Sequence, residues 1–126
     1  MTGDKEQSGA RTVATRDRGG PYVLTLRLKR VYFEDISCGN KPWEYRLATG
    51  YWRKRIEGRH FDYVLLTLGY PARSEQDLHM LKPWRGYIEQ QLLHPHFGDD
   101  EVHVFAVNVT APTLPLHVLY NDLTRA

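Results

Sequence analysis

The stretch Gly39-Asn40-Lys41-Pro42-Trp43-Glu44-Tyr45-Arg46 sets a cation, a carboxylate and a guanidinium beside aromatic side chains directly after a glycine. Gly39 and Asn40 both tolerate positive φ, so they can reverse the chain and release it into an extended segment. Alternation along that segment puts Glu44 and Arg46 on one face and Trp43, Tyr45 and Leu47 on the other. Unpaired charge buried in apolar surroundings costs several kcal/mol, so the charges of such a strand must pair with each other or meet a ligand.

Upstream, residues 22–29 alternate as a strand, with Leu24, Leu26 and Leu28 facing one way. Residues 31–38 carry Phe33 and Ile36 at helical spacing, and Gly39 ends the short amphipathic helix they predict. Downstream, Thr49 caps a short helix over residues 51–57, whose exposed side is Arg53, Lys54 and Arg55 and which Gly58 ends. Residues 61–70 form the most β-prone apolar run and belong at the centre of a sheet. Residues 71–86 read as a long excursion holding at most one helical turn. Residues 87–93 and 102–109 give two more strands, and the tail over 116–123 a last strand or short helix. Five or six short strands with two or more short helices predict an α+β, mainly β fold, a small and mostly antiparallel β-barrel. Parallel βαβ architecture would call for longer helices.

The 126 residues suit a single domain over 21–126, preceded by a polar, charged and Gly-containing stretch at 1–20 that reads as a disordered leader. A composition of 41% hydrophobic and 25% charged residues is that of a soluble globular chain, and no apolar run approaches membrane-spanning length. With one cysteine, Cys38, an intramolecular disulfide is excluded, and the cytoplasm is the expected compartment. Charge is unevenly placed. Residues 21–59 hold nine Lys or Arg against four acids, whereas residues 60–126 hold four against eight. A local basic face for an anionic partner is one consequence, and a solvated charged surface is the other.

The order of elements and the local motifs resemble the ASCH domain of the PUA-like β-barrel superfamily. The family's signature of Gly, one residue, Lys, two residues, Glu, one residue and Arg is matched by Gly39, Lys41, Glu44 and Arg46. Tyr51-Trp52-Arg53-Lys54-Arg55 and Phe61-Asp62-Tyr63-Val64 leading to Gly69-Tyr70 are similar to a branch found among small bacterial and phage proteins, and the likeness covers about residues 22 to 110. It implies a barrel with a cleft beside the signature, used by relatives for RNA, single-stranded nucleic acid or a modified nucleoside. Some relatives resemble nucleases, and one short branch is an amidohydrolase on acetylated cytidine that uses a Lys, a Thr and a Glu. Lys41 matches that Lys, but Glu44 stands where the branch has its Thr.

Residue by residue, Lys41 suits an anion contact, and Glu44 close by favours its charged form over a free amine. Glu44 and Arg46 can pair as carboxylate and guanidinium fork, either closing the barrel or presenting spare donors to a phosphate or base edge. Trp43 and Tyr45 are assigned to the core. Tyr51, Trp52 and Trp84 offer stacking surfaces, and Trp52 and Trp84 adjoin Arg53 and Arg85. Arg53 and Arg55 suit phosphate contacts. His94 and His96 read as a polar turn, so no metal is expected, and no cofactor is called for. Neither a phosphate loop nor a serine-hydrolase elbow occurs. The expected activity is binding of RNA, single-stranded nucleic acid or a modified nucleoside by Lys41, Glu44, Arg46, Tyr51, Trp52, Arg53, Arg55, Trp84 and Arg85. One alternative is hydrolysis in the same cleft, a ribonuclease or a modified-cytidine amidohydrolase with Lys41 and Glu44 catalytic, and the other is a protein-interaction module.

Overall fold

The structure, a computed structural model, describes residues 21–95 and 98–119. The expected leader at 1–20, His96 and the end of the tail lie outside them. The elements run β1 (Val23–Leu28), α1 (Arg30–Ser37), β2 (Trp43–Leu47), α2 (Gly50–Ile56), β3 (Tyr63–Leu68), a 3-10 turn (Gln76–Leu78), β4 (His79–Pro83), β5 (Tyr87–Leu92) and β6 (Val102–Asn108). The class is α+β, mainly β, and the described residues form six strands in two three-stranded sheets of order β1-β3-β4 and β2-β6-β5. Among the described residues no helix is long and apolar enough to cross a membrane.

One core serves both sheets. Leu24, Leu26 and Leu28 of β1 pack with Val64 and Leu66 of β3, with Phe105 and Val107 of β6, and with Phe33, Ile36 and Ile56 from the helices. Each such side chain removed from water contributes about 1.5–3 kcal/mol, which ties the two short helices to sheets that they could not outlast alone. Strand β3 holds the central place expected of it, between β1 and β4. In β6 the four consecutive residues Val104 to Val107 are all buried, so over that stretch this central strand is covered on both faces, while His103 before it is exposed.

The expected antiparallel pairing holds for three of the four strand pairs, and the reading of 71–86 as a strandless excursion gives way. Pairing of β1 with β3 is parallel, in the register Leu26 to Leu66, among otherwise antiparallel pairs. A parallel pair needs a crossover, and here the chain between Leu28 and Tyr63 fills it with α1, β2 and α2 together. Because a strand of the other sheet takes part, neither helix has to be long. The excursion at 71–86 contains β4 after its helical turn, antiparallel to β3 with Met80 opposite Leu66 and Lys82 opposite Val64. Its signal is hidden because a lysine occupies an inward position and a proline ends this edge strand. Of the tail, Leu114 bridges to Leu81, and a helical turn starts at His117.

Lys82 is buried, and its ammonium donates to the Ala111 carbonyl at 2.7 Å, fastening the segment after β6 to β4. Desolvation pushes its pKa below 10.5. The folded state therefore releases this proton at lower pH than the unfolded chain does. It follows that stability rises with pH between the folded pKa and 10.5 and levels off above it. Unfolding by urea from neutrality upward should show the wild type gaining on Lys82→Met through that window; a difference that is flat or falling with pH would refute this.

Candidate functional site

Lys41 owes its place to how α1 ends. Gly39 takes φ +83, while Asn40 stays at negative φ. The Gly39 amide donates to Ile36 O at 3.0 Å and the Asn40 amide to Asp35 O at 2.9 Å, the pattern of a Schellman cap with Cys38 as C-cap. The Lys41 amide donates to the same Asp35 carbonyl at 3.2 Å, so the chain enters β2 from a fixed point. On the other side of β2, Thr49 caps α2 by accepting from the Trp52 amide at 3.4 Å, which orients Tyr51 and Trp52 in the first turn.

Between these two helix ends lies a cleft of about 420 Å³. It opens where β1 and β2, the edge strands of their sheets, face each other. Glu44 is buried at its foot. One carboxylate oxygen lies 3.4 Å from the Lys41 ammonium and the other accepts from Arg46 Nη2 at 2.8 Å. Side-chain exposures of 13% for Lys41, 17% for Arg46 and 8% for Glu44 put this cluster among the shielded ion pairs, which are costly to break, rather than the surface pairs worth little. Arg46 Nη2 also donates to the Arg27 carbonyl of β1 at 2.9 Å, so the pair spans the seam between the sheets. Its buried Nε–H has no hydrogen-bond partner among the described residues.

Aromatic rings wall the cluster. The Lys41 ammonium donates to the Trp43 carbonyl and lies 4.6 Å from the Tyr45 ring centre and 5.5 Å from that of Tyr32. His94, from the connection after β5, closes that corner at 5.4 Å from Tyr45 and 6.2 Å from Tyr32. On the opposite wall the Arg46 guanidinium lies 5.1 Å from the Trp52 ring, and Tyr51 meets Trp52 edge-on at 5.0 Å. Arg27, Lys29 and Thr49 complete the polar rim. The cleft thus joins flat apolar walls to a cation, a guanidinium and a carboxylate at one end. Each carboxylate oxygen has a second lone pair beyond the bond it makes here.

Five of the nine residues expected at the site line this cleft: Lys41, Glu44, Arg46, Tyr51 and Trp52. The other four do not. Arg53 is held by Glu57 at 2.8 Å and Glu89 at 2.9 Å; the hydrogen bond to Glu89 raises its pKa against a desolvation that lowers it, and Glu57 adds to the rise. Arg55 lies over the far side of Tyr51 at 3.5 Å. Trp84 packs edge-on against Phe61 at 4.9 Å beside the core, and Arg85 donates to Thr110 Oγ1 at 3.3 Å. Conversely, Tyr45, assigned to the core by alternation, lines the cleft, and Trp43 is half-buried outside the core cluster. No local signal marks Tyr32 or His94 for the site, because only the fold brings α1 and the β5–β6 connection onto Lys41. Among the described residues no three His, Cys, Asp or Glu side chains gather in a way that could hold a metal ion. No protein-family model, no curated protein and no solved structure matches the chain.

Removing the charge of Glu44 leaves two shielded cations facing a neutral group. Glu44→Gln should lower the unfolding free energy by about 2–4 kcal/mol, and Glu44→Gln combined with Arg46→Met by clearly less than the sum of the two single changes. Urea denaturation of the four proteins measures both, and strict additivity would show that the cluster is not coupled.

Proposed function

We propose that this chain is an ASCH-type, PUA-like domain that binds single-stranded nucleic acid by taking one base or modified nucleoside into the cleft between β1 and β2. The observation that carries the reading is the buried Glu44 carboxylate, clamped by Lys41 and Arg46 at the end of an aromatic-walled cleft. An apolar slot with a few convergent polar groups is the usual form of a small-ligand site, and about 420 Å³ lies within the size range of such sites. A base has a π-face for Tyr45 or Trp52 and an edge for the polar end. Its exocyclic amine can donate to the free lone pairs of Glu44, and its carbonyls can accept from the cations. A spare donor such as Arg46 Nε–H is what a site leaves open for a partner or a bridging water. Signature residues Lys41, Glu44 and Arg46 all converge there, which agrees with the family resemblance.

Binding is favoured over hydrolysis by the setting of Lys41. Its ammonium is already directed at a carbonyl, a carboxylate and two rings, an arrangement that fixes a cation in place. Fluorescence titration of RNA and DNA hexamers at low and moderate salt tests the reading. Wild type should bind at low salt, Tyr45→Ala should weaken binding roughly five- to hundredfold, the equivalent of about 1–3 kcal/mol of stacking, and Lys41→Ala should weaken it as well. No binding at low salt, or both variants binding like wild type, would sink the proposal, and product formed from RNA or acetylated cytidine in the same samples would favour a hydrolase.

A further inference from the structure

A second cleft, of about 540 Å³, lies on the other side of Tyr51 and Trp52. These two residues line both clefts and so form the ridge between them. The second cleft differs in charge. It is lined by Lys54, Arg55 and Arg59 from the end of α2 and its exit, with Phe61 and the start of β1, and by no carboxylate. None of the three cations has a carboxylate partner among the described residues, in contrast with Lys41 and Arg46.

Their positions are set by the backbone. Arg55 donates to the Tyr51 carbonyl at 2.9 Å while its guanidinium covers the Tyr51 ring, and Arg59 Nε donates to the Lys54 carbonyl at 2.8 Å. Each guanidinium keeps further donors for an anion. Three cations without counter-charges, gathered in one concavity, repel each other and keep that potential until a polyanion meets them.

We infer that the second cleft holds the phosphates of nucleotides that flank the one in the first cleft, so that the ligand is an oligonucleotide strand crossing the Tyr51–Trp52 ridge and not a free nucleoside. This rests on the proposed function of the first cleft and adds the class and path of the ligand. The two clefts divide the work in the way a single strand requires. An aromatic slot that holds a carboxylate as well as cations can meet both the donors and the acceptors of a base edge, while a concavity whose cations have no carboxylate among its lining suits phosphates. Tyr51, more than half exposed and backed by Arg55, stands where the strand would pass from one to the other.

The experiment compares nucleoside 5′-monophosphates with RNA and DNA hexamers of A, C and U or T, titrated across a range of salt. The variants are Lys54→Gln/Arg55→Gln/Arg59→Gln and Lys54→Glu, whose native side chain makes no hydrogen bond among the described residues, so the second variant keeps the hydrogen bonds at the end of α2. Thermal melting confirms folding. Hexamers are expected to bind wild type at least about tenfold more tightly than monophosphates, and the triple change to bring them close to the monophosphate level. The slope of log affinity against log salt should fall by about 2, at about 0.7 for each phosphate of a single strand that the protein no longer neutralises. Lys54→Glu should weaken hexamers by about threefold or more. Equal affinity for monophosphates and hexamers, or hexamer affinity and salt slope untouched by both variants while Tyr45→Ala still weakens binding, would overturn this inference alone. If neither probe binds, the inference falls together with the function on which it rests.

Discussion

Much of the molecule depends on the double engagement of Arg46. Its Nη2 donates both to the Glu44 carboxylate within β2 and to the Arg27 carbonyl of β1, two edge strands that belong to different sheets. An edge strand exposes unpaired carbonyls, and here one of them is satisfied by a side chain rather than by another strand. The seam is thereby held at side-chain width instead of closing to the spacing of a backbone ladder. A cleft can exist there because of that width. Its polar end is made by the same groups that hold the seam, so the structural and the recognition readings of Glu44 and Arg46 describe one arrangement.

Around this clamp the electrostatics and the packing support each other. Glu44 neutralises two cations that could not otherwise sit at exposures of 13% and 17%, and the rings of Tyr45 and Trp52 lie against the same cations. Cation–π contact of this kind strengthens when water is excluded. The rings are therefore positioned by charge as much as by the core, which leaves their outer surfaces available in the cleft. The cations at the end of α2 serve a different need. Lys54 and Arg55 in its last turn complement the helix dipole, and with Arg59 they have no carboxylate partner among the described residues, Glu57 being engaged by Arg53.

Several of these features are legible in the chain itself. β2 spans Trp43–Leu47 as the motif suggests, Leu24, Leu26 and Leu28 share the core face, Thr49 caps α2, and Gly39 and Gly58 end the helices in positive φ. Each of these is a local signal: alternation, a hydroxyl before a helix, a glycine after one. What depends on distant partners is not legible. β4 is disguised by Lys82, whose burial makes sense only once the Ala111 carbonyl is known to meet it. Parallel pairing of β1 with β3 follows from a crossover that enlists a strand of the other sheet. Trp52 and Trp84 part for the same reason: both adjoin an arginine in sequence, yet Trp84 is drawn against Phe61 and the core while Trp52 also faces the cleft. Likewise, alternation places Tyr45 in the core, whereas the cation of Lys41 and the ring of His94 hold it at the cleft wall.

The most direct test of the clamp as a recognition point is side-chain NMR of ¹⁵N-labelled protein titrated with an RNA hexamer. The Arg46 Nε–H and Trp52 indole N–H resonances should show the largest shifts among arginine and tryptophan side chains, with those of Arg85 and Trp84 unmoved. Shifts centred on Trp84 and Arg85, with Arg46 and Trp52 unchanged at saturating RNA, would contradict the assignment of the cleft between β1 and β2 as the binding site.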